Sequence, residues 1–267
     1  MDLTTSDRHT QKLLAEQVAR YADEGTADYI VAMWRYLLED HCAQGPAKAT
    51  SERCDALPYL PFDPKTYGVD LCADEVLLDV GCLGGYGLYD IYRRRRLSGT
   101  PVPRMIGTDI RDESLAVAST LASIWATDCD VAFHKSRVED MPASLGPVSL
   151  AMARLVLPYT DVKAALRALS GVLATGGVLF LQLHAPRYYL AQLVRSLPRV
   201  RPSFYYLRPL LTWAFLSLTG WQPQGALLRE TALTPRLVTR LCHGYGLSRC
   251  SVFGFTAKPM LVYRKRP

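Results

Sequence analysis

Long apolar runs are missing from this sequence of 267 residues, and their absence excludes one class of protein. No uninterrupted apolar segment approaches the roughly 20 residues that a membrane-spanning helix needs. The first residues, MDLTTSDRHTQKLL, also lack the basic and apolar regions of a secretory signal. With 49% hydrophobic and 21% charged residues, the composition is that of an ordinary globular chain. We therefore expect a cytoplasmic protein without a membrane span.

Cysteine pairs with the spacing of metal or disulfide sites are missing too. The seven cysteines are scattered, their number is odd, and no CxxC pair occurs. We therefore expect reduced, mostly buried thiols and no metal centre, because free cysteine behaves as a small hydrophobic residue.

Basic residues are present in modest excess, with a formal net charge of +6. Arg93 to Arg96 form one block, and further arginines alternate with aromatic residues between 187 and 208. A nucleic-acid enzyme could have this pattern. Basic residues are sparse elsewhere, and no dedicated nucleic-acid motif occurs. The pattern therefore favours a lid that binds an anionic or acidic metabolite, and it does not indicate an oligomeric state.

The order of apolar segments predicts an α/β fold. Helical spacing of apolar residues over 5–42, interrupted at Gly25, and a Pro-rich stretch over 43–68 predict a helical N-terminal cap and linker, residues 1–70. Strands are then predicted over 75–80, 104–110, 130–136, 148–154 and 176–184, alternating with helices over 84–96, 113–127 and 161–174. Such alternation is typical of a Rossmann-like, doubly wound and mostly parallel sheet, here residues 71–184.

The remaining residues depart from this alternation. Residues 185–232 predict an aromatic-rich helical lid inserted after strand five, with breaks at Pro198, Pro202 and Pro209. Residues 233–267 predict a last helix over 234–247, with Thr234 as its N-cap, and a closing antiparallel strand hairpin. We expect the lid and the N-terminal helices to close over a ligand at the carboxyl ends of the strands, where open α/β sheets bind their ligands.

The segment VLLDVGCLGGYG, residues 76–87, carries the strongest chemical signal. Asp79 lies near the end of the first predicted strand, and Gly81, Gly84 and Gly85 lead into a helix. Glycines let a backbone approach a ligand closely, and the helix N-terminus offers N–H groups. A carboxylate before the first glycine would repel a pyrophosphate and suit a cationic group such as a sulfonium.

Over residues 70–184 the sequence resembles the class I S-adenosylmethionine (SAM)-dependent methyltransferases of the small-molecule type. Asp79 to Gly85 match their acidic-x-Gly-x-Gly-x-Gly motif, with Leu83 in place of the middle glycine. Asp109 matches the acid that holds the ribose hydroxyls. Residues 136–142 match their third motif with Arg137 in place of the adenine-contacting acid, so backbone groups at Val138 are expected to read the adenine.

The resemblance implies SAM as cofactor, in a site formed by Asp79, Gly81, Cys82, Gly85, Asp109, Ile110, Val138, Glu139 and Ala153. Two further side chains are candidates for catalysis because Tyr159 lies just past predicted strand four and His184 ends predicted strand five. His184 could accept a proton from the methyl acceptor, and Tyr159 would lie in the same cleft.

The resemblance implies methyl transfer to a small, partly apolar metabolite. One alternative retains the cofactor and removes the acceptor: SAM itself cyclises to a small cyclic amino acid and releases methylthioadenosine. A second alternative is a membrane-surface role for residues 203–221, which are apolar and flanked by arginines. Modification of nucleic acid is a weaker alternative.

Overall fold

The computed structural model describes residues 5–38, 69–197, 200–223, 230–254 and 257–267. The chain forms two compact units, residues 1–137 and 138–267, called here the first and second units. The predicted linker over 43–68 and the break predicted at Pro198 lie outside the described residues.

The first unit contains the predicted cap helices and three parallel strands. Its elements are α1 (Thr5–Asp23), α2 (Asp28–Leu38), β1 (Val76–Val80), α3 (Tyr86–Leu97), β2 (Arg104–Asp109), α4 (Asp112–Trp125) and β3 (Val131–Lys135). Strand β2 pairs in parallel with β1 on one side and with β3 on the other. The predicted alternation of strands and helices is therefore confirmed here.

An aromatic row forms the interior of the first unit between its helices. The ring centroids of Trp34 and Tyr89 lie 5.2 Å apart, those of Tyr89 and Trp125 5.7 Å, and those of Tyr92 and Trp125 4.9 Å. These residues come from α2, α3 and α4, and Trp34 and Trp125 are each only 1% exposed. Helix α2 is therefore part of the hydrophobic core of this unit and not a peripheral helix.

The second unit contains two parallel strands, the predicted lid and the closing hairpin. Its elements are β4 (Val148–Arg154), α5 (Val162–Val172), β5 (Leu173–Gln182), α6 (Pro186–Ser196), α7 (Val200–Thr219), α8 (Pro235–His243), β6 (Leu247–Gly254) and β7 (Pro259–Lys265). Strand β5 pairs in parallel with β4 and antiparallel with β7, which pairs antiparallel with β6. The hairpin is confirmed, as is Thr234 as N-cap, because its side chain accepts the Leu237 N–H.

The predicted boundary between α5 and β5 was wrong. Helix α5 ends at Val172, and β5 begins at Leu173, whereas the sequence predicted a helix to 174 and a strand from 176. Leu173 already pairs with Val148, and the register then shifts. Gly176 has a φ of 78°, so the Gly-Gly pair forms an irregularity within the strand and not a helix terminus.

The predicted breaks at Pro202 and Pro209 were also wrong, because α7 runs without interruption from Val200 to Thr219. Pro202 lies in the first turn, where the missing N–H has no helical partner in any case. Pro209 lies inside the helix, and its carbonyl oxygen accepts the Ala232 N–H at 3.1 Å. Among the described helices, none is both long and apolar enough to cross a bilayer.

Burial of the cysteines is mixed. Of the five described, Cys82 and Cys242 are buried and Cys129 is half-buried, whereas Cys72 and Cys250 are exposed. The expectation of mostly buried thiols therefore holds for only part of the set.

Candidate active site

The loop between β1 and α3 has an unusual backbone. Gly81, Leu83 and Gly85 have φ angles of 69°, 50° and 75°. Such left-handed conformations are common for glycine and disfavoured for leucine, because the Cβ atom approaches the following carbonyl oxygen. Leu83 thus adopts the backbone that the glycine of the related motif would adopt easily. The loop therefore has a local conformational cost at Leu83.

Asp109 explains how Leu83 is held in this conformation. Its carboxylate Oδ2 accepts the Leu83 N–H at 2.9 Å, and Oδ1 accepts the Arg111 N–H at 3.0 Å. Asp109 ends β2 and is buried. An ionised carboxylate has about four acceptor positions, so two remain after these bonds. The residue therefore fits the ribose diol of SAM while it also fixes the glycine loop.

Helix α2 packs directly on the glycine loop. The indole Nε1 of Trp34 donates to the Gly84 carbonyl at 2.8 Å. A Cβ atom on Gly84 would lie 2.7 Å from Cγ2 of Ile30, and one on Gly85 would lie 3.2 Å from Cβ of Ala118. Packing therefore accounts for glycine at both positions. Contact of Gly81 and Gly85 with the cofactor stays a prediction.

Replacing Trp34 with phenylalanine is expected to destabilise the protein by about 1–3 kcal/mol, because the buried Gly84 carbonyl loses its donor. We also expect weaker binding of S-adenosylhomocysteine (SAH), because the loop is less firmly held. Denaturant unfolding and calorimetry measure the two effects.

Trp125→Phe is the matched control, because Trp125 is equally buried while its indole N–H has no hydrogen-bond partner within the described part of the chain. Equal destabilisation by the two substitutions would contradict a specific role for the Trp34 hydrogen bond.

The other predicted cofactor residues of the first unit lie around this loop. Asp79 is buried near the end of β1, and the Cys82 N–H donates to the Thr108 carbonyl at 2.9 Å. Ile110 follows Asp109 and is 60% exposed, so it offers an apolar surface beside the carboxylate. Asp79, Ile110 and the glycine loop are suitably placed for a ligand with a charged end and an apolar ring.

The predicted cofactor residues of the second unit have structural roles of their own. Val138 is buried in a short 3-10 helix, Val138–Asp140. Oε1 of Glu139 accepts the Asp161 N–H at 3.1 Å, just before α5. Ala153 is fully buried in β4, in register with Leu181. Cofactor contacts of Val138, Glu139 and Ala153 stay predictions.

A polar and aromatic cluster lies in the second unit beyond the ends of β4 and β5. We call it the Glu230 cluster; its members are Tyr159, His184, Tyr188, Tyr189, Tyr205 and Glu230. The Tyr189 hydroxyl donates to Oε1 of Glu230 at 2.6 Å and lies 3.3 Å from Nδ1 of His184. The rings of His184 and Tyr188 are stacked with centroids 4.2 Å apart. The cluster thus joins a carboxylate to an imidazole through one phenol.

The backbone after Glu230 fixes the cluster in place. Thr231 N–H donates to the Pro158 carbonyl at 2.7 Å, and Leu233 N–H donates to the His184 carbonyl at 3.0 Å. Both bonds join residues at the end of the predicted lid, or just after it, to residues that follow β4 and β5. Since Ala232 also bonds to α7, Glu230 is held by three separate parts of the second unit.

Burial sets the protonation of the cluster. The pKa of His184 falls from 6.5 to about 4, first because the ring is buried and then because Lys258 is positively charged. Burial raises the pKa of Tyr159 and of Tyr189 well above the ordinary value, and the charge of Glu230 and a hydrogen bond to it raise them further. At neutral pH the cluster therefore contains a neutral imidazole and neutral phenols.

The structure brings together the two residues predicted for catalysis, since Tyr159 and His184 both neighbour Tyr189. Sequence reasoning missed Tyr189, Glu230 and Gln182. Gln182 is 1% exposed, and neither atom of its amide has a hydrogen-bond partner within the described ranges. Its position two residues before His184 on an apolar strand was a signal that could have identified it.

Comparison with known proteins gives one family match. Residues 78–181 match the profile of a family described as a methyltransferase domain. No curated protein is significantly similar in sequence to the chain. The matched residues include the glycine loop, Asp109, strand β4 and β5 up to Leu181.

Several solved structures with a similar fold are described as methyltransferases. One from Methanosarcina mazei is 15% identical and covers 78% of this chain and 99% of its own, with a TM-score of 0.54. Magnesium protoporphyrin IX methyltransferase from Synechocystis, with bound SAH, is 12% identical over 89% of this chain and 85% of its own, at 0.52. Geranyl diphosphate C-methyltransferase from Streptomyces coelicolor is 14% identical over 73% and 74%, at 0.51. At these identities the likeness establishes the Rossmann-like class I fold.

Proposed function

We propose that this chain is a class I SAM-dependent methyltransferase and that it methylates a small, partly apolar molecule whose reactive group binds beside His184. SAM supplies a methyl group on a positively charged sulfur, which a nucleophile can accept with release of SAH. Two structural neighbours are named for magnesium protoporphyrin IX and geranyl diphosphate, which are both small and partly apolar. They support this class of acceptor without identifying it.

The observation that carries the proposal is the Glu230 cluster. It follows the carboxyl ends of β4 and β5, and ligands of open α/β sheets bind beyond that end of the strands. It combines aromatic surface for an apolar acceptor with a neutral imidazole that can accept a proton. His184 and Tyr159 are the residues we propose to touch the acceptor.

Incubation of the protein with trideuteromethyl-labelled SAM and a fractionated metabolite extract tests this function. Mass spectrometry is expected to find a labelled product of small mass together with SAH. The double variant Tyr159→Phe, His184→Ala is expected to bind SAH normally and to form the product much more slowly. Turnover of this variant within a few-fold of the parent would exclude a catalytic role for both residues.

The same experiment without extract distinguishes methyl transfer from a reaction of SAM alone. Cyclisation of SAM releases methylthioadenosine, whereas methyl transfer releases SAH. Formation of methylthioadenosine by the purified protein with SAM alone would contradict the proposed function and favour cyclisation.

Gln182→Leu is expected to make the protein more stable and less active. Replacing a buried amide that lacks partners removes a cost of about 1–3 kcal/mol, which corresponds to about 2–4 °C in Tm for each kcal/mol. If the amide contacts the bound ligands, product formation falls at the same time. Thermal unfolding and the labelled-methyl assay measure these opposite changes.

Gln222→Leu is the matched control for this prediction. The Gln222 amide donates to the Thr160 carbonyl at 2.8 Å and accepts the Val162 N–H at 3.0 Å, so its removal is expected to destabilise the protein. A loss of stability in both variants would show that Gln182 has an undetected structural partner and no ligand role.

A second candidate function is suggested by α7, whose exposed apolar side chains recur at helical spacing. They are Phe204, Leu207, Leu211, Phe215 and Leu218, and Arg208 lies among them. An apolar stripe with basic neighbours is typical of a helix that lies in a membrane interface. Such a surface would give the enzyme access to a lipid-soluble acceptor.

Flotation with phosphatidylglycerol vesicles tests the membrane role. The parent protein is expected to float with these vesicles, and the double variant Leu211→Asp, Leu218→Asp is expected to remain in the soluble fraction. Leu13→Asp is the control, because Leu13 is also exposed but lies on α1. A parent protein that does not float excludes this candidate.

A further inference from the structure

We propose that Glu230 and Tyr189 select one tautomer of His184 and form the path by which a proton leaves a hydroxyl acceptor during methylation. The proposal rests on the proposed function and specifies its acceptor class. His184 is the catalytic residue in this scheme, while Tyr189 and Glu230 are positioning residues that act through it.

Hydrogen bonds lead from His184 through Tyr189 to Glu230, and Glu230 is the hydrogen-bond acceptor at the end of this path. The Tyr189 hydroxyl donates to its Oε1 at 2.6 Å, and hydrogen bonds to Glu230 also raise the pKa of Tyr159 and of Tyr205. The carboxyl oxygens of a glutamate accept hydrogen bonds, and a tyrosine hydroxyl has only one proton to donate. The single hydroxyl proton of Tyr189 is therefore donated in the hydrogen bond to Glu230.

This hydrogen bond determines which ring nitrogen of His184 carries the proton. Tyr189 Oη lies 3.3 Å from Nδ1 of His184. The only hydroxyl proton of Tyr189 is donated to Glu230, so Oη has to accept the hydrogen bond in its contact with Nδ1. Nδ1 of the imidazole is then the donor and carries the ring proton. A neutral imidazole has one N–H, so Nε2 retains its lone pair. This nitrogen can therefore take the proton from the hydroxyl group of the molecule that is methylated.

The proposed step is balanced in atoms and electrons. The acceptor oxygen forms a bond to the methyl carbon as the carbon–sulfur bond breaks, and that electron pair stays on sulfur. The acceptor proton moves to Nε2 of His184, the Nδ1 proton moves to Tyr189 Oη, and the tyrosine proton moves to Glu230. The products are a methyl ether, neutral SAH, His184 protonated at Nε2 and a neutral carboxyl group at Glu230.

A relay of this kind suits the electrostatics of the site better than an imidazolium ion. Burial and the positive charge of Lys258 oppose a second proton on His184 and lower its pKa. The Lys258 ammonium also lies 5.7 Å from the centre of the Tyr188 ring that stacks on His184. Passing the proton on to Glu230 avoids a net positive charge on the ring.

The hydrogen-bonded path from His184 to Glu230 also indicates which methyl acceptors would benefit from it. A hydroxyl has to lose a proton when its oxygen is methylated, and general base catalysis of such a transfer contributes typically 10²–10⁴-fold. An acceptor without a transferable proton, such as a thioether, gains nothing from the relay. We therefore infer that the acceptor is an alcohol or a phenol.

Nitrogen-15 NMR of histidine-labelled protein in its SAH complex tests the tautomer without any acceptor. At neutral pH the His184 ring is expected to be protonated at Nδ1, with assignment by its disappearance in His184→Asn. Tyr189→Phe is expected to shift the ring toward the Nε2–H form, because Nδ1 loses its acceptor. Tyr188→Phe retains the stacked ring and is expected to leave the tautomer unchanged.

An Nε2–H ring in the parent protein would overturn the proposal, and so would a tautomer that Tyr189→Phe does not change. Glu230→Gln separates positioning from proton transfer, because an amide oxygen can accept a hydrogen bond from the Tyr189 hydroxyl but is too weak a base to take its proton. This variant is expected to retain the Nδ1–H form and to lose at least about tenfold in the rate of methyl transfer.

Methyl transfer and the proton relay can be tested separately. Absence of any labelled product, with normal SAH binding and the Nδ1–H tautomer present, would overturn the proposed function and with it the use of the relay. A labelled alcohol or phenol ether whose rate is unaffected by Glu230→Gln would overturn the relay alone. A product methylated on sulfur or on carbon would overturn the acceptor class.

Discussion

Replacing Asp109 with alanine is expected to weaken SAH binding by about a hundredfold or more. Hydrogen bonds to a charged group are worth about 1.5–3 kcal/mol each, and two ribose hydroxyls would lose their acceptor together. The substitution also removes the acceptor of the Leu83 and Arg111 N–H groups. The glycine loop then loses the contact that holds Leu83 in its disfavoured backbone conformation, so affinity falls for a second reason.

Isothermal calorimetry with SAH measures this loss, and Asp112→Ala is the matched control. Asp112 lies three residues further along, and its side chain is 77% exposed in an ion pair with Lys135, so it is expected to bind SAH like the parent. Asp109→Asn is expected to be intermediate, since its single carbonyl oxygen can satisfy only part of the carboxylate contacts. Affinity of Asp109→Ala within threefold of the parent would exclude the ribose role.

The regular part of the fold was predictable because its signals are local. Strand β4 occupies the predicted residues 148–154, and Thr234 caps α8 as expected. Both follow from short apolar runs and from the hydrogen-bonding capacity of neighbouring side chains. Asp109 was singled out through the family resemblance, and the structure places it at the end of β2, whereas its contact with the ribose stays a prediction.

Features that depend on tertiary contacts were not predictable. The left-handed conformation of Leu83 is atypical for a leucine, and it exists because Asp109 holds the N–H from a different strand. The position of Glu230 is fixed by backbone bonds of the following residues to Pro158, Pro209 and His184. No local pattern around Glu230 indicates that it accepts a hydrogen bond from Tyr189.

The packing glycines illustrate a third case, in which the structure adds a packing reason to the predicted one. Gly84 and Gly85 were read as a close approach of the backbone to a ligand. In the structure the space for a Cβ atom is taken by Ile30 of α2 and by Ala118 of α4. A sequence motif alone does not distinguish a ligand from a neighbouring helix, because both require the same absence of a side chain.

Acidification is expected to destabilise the protein through His184. Its pKa is 6.5 in the unfolded chain and about 4 in the folded protein, so the unfolded state takes up a proton first as the pH falls. Above pH 6.5 the ring is neutral in both states and has no effect. Between pH 6.5 and pH 4 stability is lost progressively, by about 3 kcal/mol in total, since one pKa unit corresponds to about 1.4 kcal/mol.

Urea unfolding at pH 7 and pH 4 of the parent and of His184→Asn measures this contribution. The asparagine amide can still donate toward Tyr189 and does not titrate in this range, so the variant is expected to lose about 3 kcal/mol less on acidification than the parent. His134→Gln is the control, because His134 is exposed, and its acid dependence is expected to match the parent. If His184→Asn showed the same loss as the parent, the ring would have to be protonated or solvated in the folded protein, and the neutral imidazole on which the proton path depends would not exist.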